Sequence, residues 1–244
     1  MRQVPEGSTF YGIVGDGRAS LHVQHYFRAL NLPFQVWSRQ SENIDPAELF
    51  SDCHTILVLL KDTAIQHFIL SQPKLKTKHW VHFSGALCIP EAQSTHPLMS
   101  FGAELYDITT YHKIPFICEA EKTSFTTLFP HLSNPHYNIP AQLKSQYHSL
   151  CVLAGNFTTV LWQKFFSELE NTFSLPKAAA FPYLQKIAEN LQRHPESALT
   201  GPFARRDYTT IQKNLHALEG DDFQKVYQAF AEVLLKKAGT HEYS

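Results

Sequence analysis

The sequence predicts an α/β protein: a doubly wound parallel sheet followed by an all-helical C-terminal domain. Three observations predict it. Short apolar runs alternate with helical patterns over the first 120 residues, the pattern of βαβ units. A glycine turn, Gly15-Asp16-Gly17, separates the first apolar run from the first helical pattern. After about residue 138 the strand patterns cease and long helical stretches take over.

The elements follow in order. Thr9-Phe-Tyr-Gly-Ile-Val14 reads as a buried strand. Ala19, Val23, Phe27 and Leu30 recur at i, i+4, i+8 and i+11, one face of a helix, until Asn31-Leu-Pro33 stops it. Phe34-Gln-Val-Trp37 is a second strand. Asp45-Pro46 pairs an N-cap with proline at the first helical position and opens a short helix to about Ser51. Thr55-Ile-Leu-Val-Leu-Leu60 is apolar on both faces, as a strand inside a parallel sheet must be. Asp62 is placed to cap a helix carrying Ile65, Phe68 and Ile69. Trp80–Phe83 and Ile114–Cys118 are further strands. The turn formers of Ser133-Asn-Pro-His-Tyr-Asn-Ile-Pro140 mark a boundary, giving domains 1–138 and 139–244. Between Ala141 and Phe173 there is no proline and one glycine, Gly155, so a single helix of about 50 Å fits at about 1.5 Å per residue. Helical stretches follow at about 177–193, 207–218 and 222–237.

Composition narrows the function. Lys plus Arg number 21 and Asp plus Glu 22 in 244 residues, a net charge of −1. No basic excess exists to hold a phosphate backbone, so nucleic acid is not an expected partner. The longest aliphatic run, Ile56–Leu60, is far short of the roughly 20 residues of a membrane helix, and Met1–Thr9 shows no signal segment. The four cysteines, at 53, 88, 118 and 151, form no CxxC pair and read as reduced, buried small hydrophobes. Fourteen histidines show no metal-ligand spacing, so no metal is expected. The protein is expected to be cytoplasmic.

The glycine turn carries the chemistry. In Gly12-Ile-Val-Gly15-Asp16-Gly17-Arg18-Ala19-Ser20, Gly15 takes a sharp turn and Gly17 lets backbone approach a pyrophosphate at the helix start. Ser20 replaces the third fingerprint glycine and is small enough for close packing. The strand before and the helix after meet the context test for a Rossmann-type nucleotide site; an ordinary glycine-rich turn is the alternative. Arg39 lies 22 residues after Gly17, where an NAD site would carry an acid. Ser38 and Arg39 instead suit a 2′-phosphate, so NADP is the expected cofactor; a solvated surface arginine is the alternative. Arg18 is a second cation near the phosphates.

Gly15-Asp-Gly-Arg18, Trp37-Ser-Arg39, His82-Phe-Ser-Gly-Ala-Leu87, His96-Pro-Leu-Met-Ser-Phe101, Ile114-Pro-Phe116, Tyr147-His148, Leu153-Ala-Gly-Asn156 and Leu199-Thr-Gly-Pro-Phe-Ala-Arg-Arg-Asp207 occur in this order. Together they resemble the bacterial Rossmann-like proteins with a C-terminal DUF2520 domain. That family is similar to the 6-phosphogluconate dehydrogenase-like group, which includes ketopantoate reductases and pyrroline-carboxylate reductases. The resemblance implies an NADP-binding domain, a helical second domain, an active cleft between them and a homodimer built largely on the helical domains. It supplies no substrate. Two departures stand out. In the hydroxyacid dehydrogenase branch a Lys-x-x-x-Asn motif brings a proton-moving lysine, and if Asn156 matches that asparagine the lysine position is Val152. Where Val-Pro-Asp is usual after the third main strand, this chain reads Leu60-Lys61-Asp62, placing Leu60 and Lys61 by the nicotinamide half.

The remaining candidates are weighed on their own chemistry. Ser84 follows a strand at the ligand-binding edge of the sheet and is suited to a substrate carbonyl or carboxylate, while Gly85 permits close approach of the nicotinamide; a strand-to-helix cap explains Ser84 as well. His96 is a cleft candidate or a hydrogen-bonded structural histidine. Asn156, a poor helix-interior residue, needs partners that a ligand or a facing helix supplies. His148 is about 80° around an ideal helix from Asn156 and is the remaining proton donor on that helix. Gly201-Pro202 makes a turn and Asp207 caps a helix, while Arg205 either forms a surface ion pair or reaches an anionic substrate or a partner subunit. The reading is an NADP(H)-dependent oxidoreductase acting on a small carbonyl or imine substrate, with Asn156, His148 and Ser84 as catalytic candidates. The alternative is a non-catalytic NADP(H)-binding sensor or regulatory module, which Val152 keeps open.

Overall fold

The computed structural model describes residues 10–41 and 44–239. The chain divides into two compact units at Leu161/Trp162. The first is built on a seven-stranded sheet of order β2-β1-β3-β4-β5-β6-β7. β1 (Tyr11–Val14), β2 (Phe34–Trp37), β3 (Thr55–Val58) and β4 (His79–His82) run parallel, as expected. Thr9, the expected start of β1, lies outside the described residues. The order 2-1-3-4-5 places a topological switch point between β1 and β3, above whose carboxyl ends ligands of such sheets bind.

The sheet is longer and less uniform than the apolar runs predict. β5 (Gln93–Pro97) pairs parallel with β4. β6 (Phe116–Glu119) then runs antiparallel to β5, and β7 (His136–Ile139) parallel to β6. β5 is Gln-Ser-Thr-His-Pro and has no apolar run to announce it. Its polar side chains are nonetheless buried, except for half-buried His96. β7 falls inside the turn-rich stretch expected to be a boundary. It is an edge strand, exposed along most of its length and flanked by Pro135 and Pro140, positions where proline costs no ladder bond.

Helices cover both faces. α1 (Arg18–Ala29) lays Val23 and Phe27 on the face formed by Tyr11, Ile13, Leu57 and Val81. α2 (Pro46–Leu49) opens on Asp45, whose carboxylate accepts from Ala47 N at 2.9 Å. α3 (Asp62–Leu70) lays Ile65 and Ile69 on the opposite face, against Val14, Ile56, Val58 and Trp80. Each such buried side chain contributes about 1.5–3 kcal/mol. Asp62 is not the cap of α3: Lys61 occupies that position, and Asp62 is the first helical residue. α4 (Ile108–Lys113) and α5 (Phe125–Leu128) are short helices within the β5–β6 and β6–β7 connections.

The long helix expected from 141 to 173 is a helical path of four pieces. A 3-10 turn, Ala141–Leu143, leads into α6 (Lys144–Cys151), a π-helical segment, Val152–Phe157, and α7 (Thr158–Asn171). The second unit, starting within α7, adds α8 (Phe181–Arg193), α9 (Gly201–Ala204), α10 (Tyr208–Ala217) and α11 (Phe223–Gly239). Trp162 contacts the rings of Phe165, Phe166 and Tyr183, and Lys164 bonds Asp221 at 2.5 Å. Asp207 caps α10 through Thr210 N, as its spacing predicts. No helix among the described residues is long and apolar enough to cross a membrane.

Candidate functional site

The phosphate end is formed by backbone. Gly15 has φ +116°, and a Cβ there would stand 2.6 Å from the Leu59 carbonyl oxygen; only glycine makes this turn beside β3. Gly17 is the N-cap of α1, is exposed, and a Cβ there would meet nothing within 4 Å. No side chain caps the helix and its first turn holds no acid. Its first N–H groups and dipole therefore face an open surface, the arrangement that binds anionic phosphate. Ser20 does what the missing third glycine leaves room for: its hydroxyl donates to the Gly15 carbonyl at 2.6 Å and accepts from Gln24 at 3.1 Å, pinning the turn to α1. Asp16 and Arg18 are exposed around this turn, and Ala19 is half-buried. At the end of β2, Ser38 Oγ accepts from Gln40 N at 3.2 Å, while Arg39 is exposed and has no ion pair among the described residues. This cradle fits a dinucleotide.

Beyond β4 the chain gathers polar groups around Ser84. No helix follows it, so Ser84 is not a helix cap; its hydroxyl instead accepts from Leu87 N at 2.9 Å and Ala86 N at 3.3 Å, closing a tight turn. The same hydroxyl donates to Asp62 Oδ2 at 2.6 Å. Ser84 N donates to His82 Nδ1 at 3.2 Å. The Ser84 carbonyl accepts from Ser94 Oγ at 2.8 Å and from Lys144 Nζ at 3.3 Å, and Lys144 reaches the Leu87 carbonyl at 2.7 Å. Lys144 is 2% exposed and has no carboxylate within ion-pair distance among the described residues. Burial lowers its pKa, opposed by nearby Glu119. Burial, and then the Lys144 cation, pull fully buried His82 down to about 4, so it is a neutral acceptor at neutral pH.

α6 closes over this turn. A Cβ on Gly85 would stand 2.4 Å from His148 Nδ1 and 3.2 Å from His96 Cδ2. The bare Cα of Gly85 thus admits two imidazoles, where the sequence suggested room for a nicotinamide ring. The imidazoles of His96 and His148 are 5.7 Å apart and nearly perpendicular, and His96 Nδ1 lies 2.9 Å from Tyr147 Oη. Burial, with His148 next, lowers His96 to about 4. Behind them Glu119 is 2% exposed, bonds Lys122 at 3.0 Å and accepts from Ser94 N at 3.1 Å. Burial pushes its carboxyl up, but Lys122 and the Ser94 N–H outweigh this and hold it below the usual carboxylate range. His82 Nε2, Glu119 Oε1 and His148 Nδ1 are buried without a hydrogen-bond partner among the described residues.

Of the residues singled out in the sequence, the structure brings together Ser84, Gly85, His96 and His148. Leu60 and Lys61 lie between β3 and α3, Lys61 exposed. Asn156 was expected within an α-helix in need of partners; it is exposed in the π-helical segment and its side chain has no hydrogen bond among the described residues. Val152, at the position where a lysine was looked for, begins that segment. The buried cation of this helical path is Lys144, two turns earlier. Lys144, Tyr147, Glu119 and Asp62 were not read as site residues. One signal was present: Lys144 and His148 are four apart, hence on one helix face. Of the cysteines, Cys53 and Cys118 are buried as expected, but Cys88 is exposed and Cys151 half-buried. The described residues hold no group of three or more metal-ligand side chains.

The fold and the glycine turn define a Rossmann-type protein. Residues 114–233 match the profile of the domain of unknown function DUF2520. No curated protein matches the sequence. Solved structures resemble it over nearly its whole length. A Bacteroides fragilis protein described as an NADP oxidoreductase is 22% identical, with TM-score 0.74 over 93% of this chain and 98% of that one. A Streptomyces aurantiacus imine reductase is 10% identical, with TM-score 0.67 over 95% of each chain. A Plasmodium falciparum pyrroline carboxylate reductase with NADP bound is 12% identical, with TM-score 0.59 over 94% of this chain and 98% of that one.

Proposed function

We propose that this protein is an NADP(H)-dependent oxidoreductase that passes a hydride between nicotinamide and a small carbonyl or imine compound. One observation carries the reading: the uncapped start of α1, open at Gly17, shares a sheet edge with the Ser84 cluster of partnered and orphaned buried polar groups. The first fits an anionic cofactor and the second a reacting polar substrate. The reductases named above support the reading by their common fold. A bound nicotinamide would supply the hydride. The chain's own part is to orient and to manage protons. Gly15, Asp16, Gly17, Arg18 and Ala19 would cradle the pyrophosphate, and Ser38 and Arg39 the 2′-phosphate. Leu60 and Lys61 would flank the nicotinamide half, while Gly85 makes room for the imidazoles of His96 and His148. Ser84, Asn156 and His148 would face the substrate. Val152 favours a second reading, a non-catalytic NADP(H)-binding module. Direct NADPH binding combined with a carbonyl and imine screen that follows NADPH absorbance separates the two. Binding with turnover is expected; binding with no turnover across the screen selects the module, and no binding defeats both.

A further inference from the structure

We infer that Tyr147, backed by His96, is the proton-supplying residue of this site; the assignment rests on the oxidoreductase reading above. α6 sets Lys144, Tyr147, His148 and Cys151 at i, i+3, i+4 and i+7, one helix face. Contacts from three of these residues reach the segment 84–96: Lys144 to the Ser84 and Leu87 carbonyls, His148 to Gly85, and Tyr147 to His96.

The other candidate donors are committed elsewhere. Ser84 gives its only hydroxyl proton to Asp62 and accepts from two amides. Lys144 is 2% exposed and spends two of its three protons on carbonyls. His148 turns Nδ1 onto Gly85, where it is buried without a hydrogen-bond partner, so that nitrogen is closed to a substrate. Tyr147 is half-buried and has a partner in place, His96 Nδ1 at 2.9 Å. Burial raises the phenol pKa, so the donor is loaded at neutral pH.

His96 decides whether that proton is free. Burial is the largest influence on it and disfavours its charge; of the groups facing it, His148 and Lys144 act in the same direction and Asp62 alone favours the charge, so the ring stays neutral. A neutral imidazole carries one N–H. Carried on Nδ1, it donates to Tyr147 Oη, leaves the phenolic proton pointing away, and stabilises the phenolate once that proton has gone. A bound reduced nicotinamide would supply the hydride to the carbonyl or imine carbon, and the π pair would move to the heteroatom. The Oη–H bond breaks, an O–H or N–H bond forms, and its electron pair stays on the phenolate oxygen, which solvent reprotonates.

Long-range 15N–1H spectra of the cofactor-free protein test this directly, with His96 assigned by its loss in His96→Gln. His96 is expected to be protonated on Nδ1 and bare on Nε2, and Tyr147→Phe is expected to shift that tautomer balance. With a substrate from the screen, Tyr147→Phe should lower kcat about 10²-fold or more while the NADPH Kd stays the same. An Nε2–H tautomer, or Tyr147→Phe turnover within about twofold of the unmutated protein, overturns the Tyr147 assignment and leaves the oxidoreductase reading standing. Absence of NADPH binding overturns that reading and this assignment with it.

Discussion

The proposed 2′-phosphate site rests on a single side chain, Arg39. It is exposed at the end of β2 with no ion pair to hold it elsewhere among the described residues, beside the hydroxyl of Ser38. A hydrogen bond to a charged group contributes about 1.5–3 kcal/mol, so NADPH is expected to bind about 10- to 150-fold tighter than NADH. Arg39→Ala should erase most of that preference; equal affinities in the unmutated protein would remove the 2′-phosphate assignment. His82 acts alone in another way. Its pKa falls from 6.5 to about 4 on folding, so the unfolded chain takes up a proton first as pH drops. Its contribution to stability is complete above about pH 6.5 and is lost progressively as pH falls to about 4, on the order of 3 kcal/mol. Denaturant titrations at pH 7 and pH 4.5 should show this loss, and His82→Asn should shrink the difference between the two. An unchanged difference would mean that His82 does not carry it.

At the scale of elements, legibility followed periodicity. β1, α1, β2, β3, α3 and β4 were visible because an apolar run or a 3.6-residue stripe faces the core in each. β5 and β7 were hidden because β5 pairs through buried polar residues and β7 is an exposed edge. The site divides in the same way. Ser84 and Gly85 could be read from their place after a strand, whereas Lys144 joins the Ser84 carbonyl across 60 residues, a contact no local pattern encodes. The π-helical segment was illegible for a further reason: Val-Leu-Ala-Gly-Asn-Phe carries no proline to announce a change of pitch. A π turn, bonded i to i+5, advances each residue by less than the α-helical angle, which narrows the offset of about 80° between His148 and Asn156. If Asn156 meets substrate, Asn156→Ala should lower turnover on the order of 10²-fold with the NADPH Kd nearly unchanged. An Asn156→Ala enzyme with full turnover would confine this asparagine to a local role in the helix.

For the whole molecule, the distribution of apolar surface bears on assembly. Leu150, Leu153, Phe157, Val160, Leu161 and Phe165 are all exposed along the path from α6 to α7. The second unit buries few of its apolar side chains, Leu169, Ala180, Ile211 and Ala231 among them, while Phe181, Tyr183, Leu191, Phe230 and Val233 remain exposed. Scattered exposed leucines are ordinary, but aromatic and aliphatic residues repeated along successive helices form the kind of surface that marks an interaction site. A second copy of the chain is the partner we propose, because a two-fold interface matches one such surface to itself and needs no other component. Light scattering at micromolar concentration should report a homodimer. Phe157→Lys, an exposed change within the π-helical segment that removes no buried contact, should shift the protein toward monomer while circular dichroism stays the same. An unmutated chain that scatters as a monomer would show that these helices do not pair with a second copy, and a dimer indifferent to Phe157→Lys would move the interface to the exposed faces of the second unit.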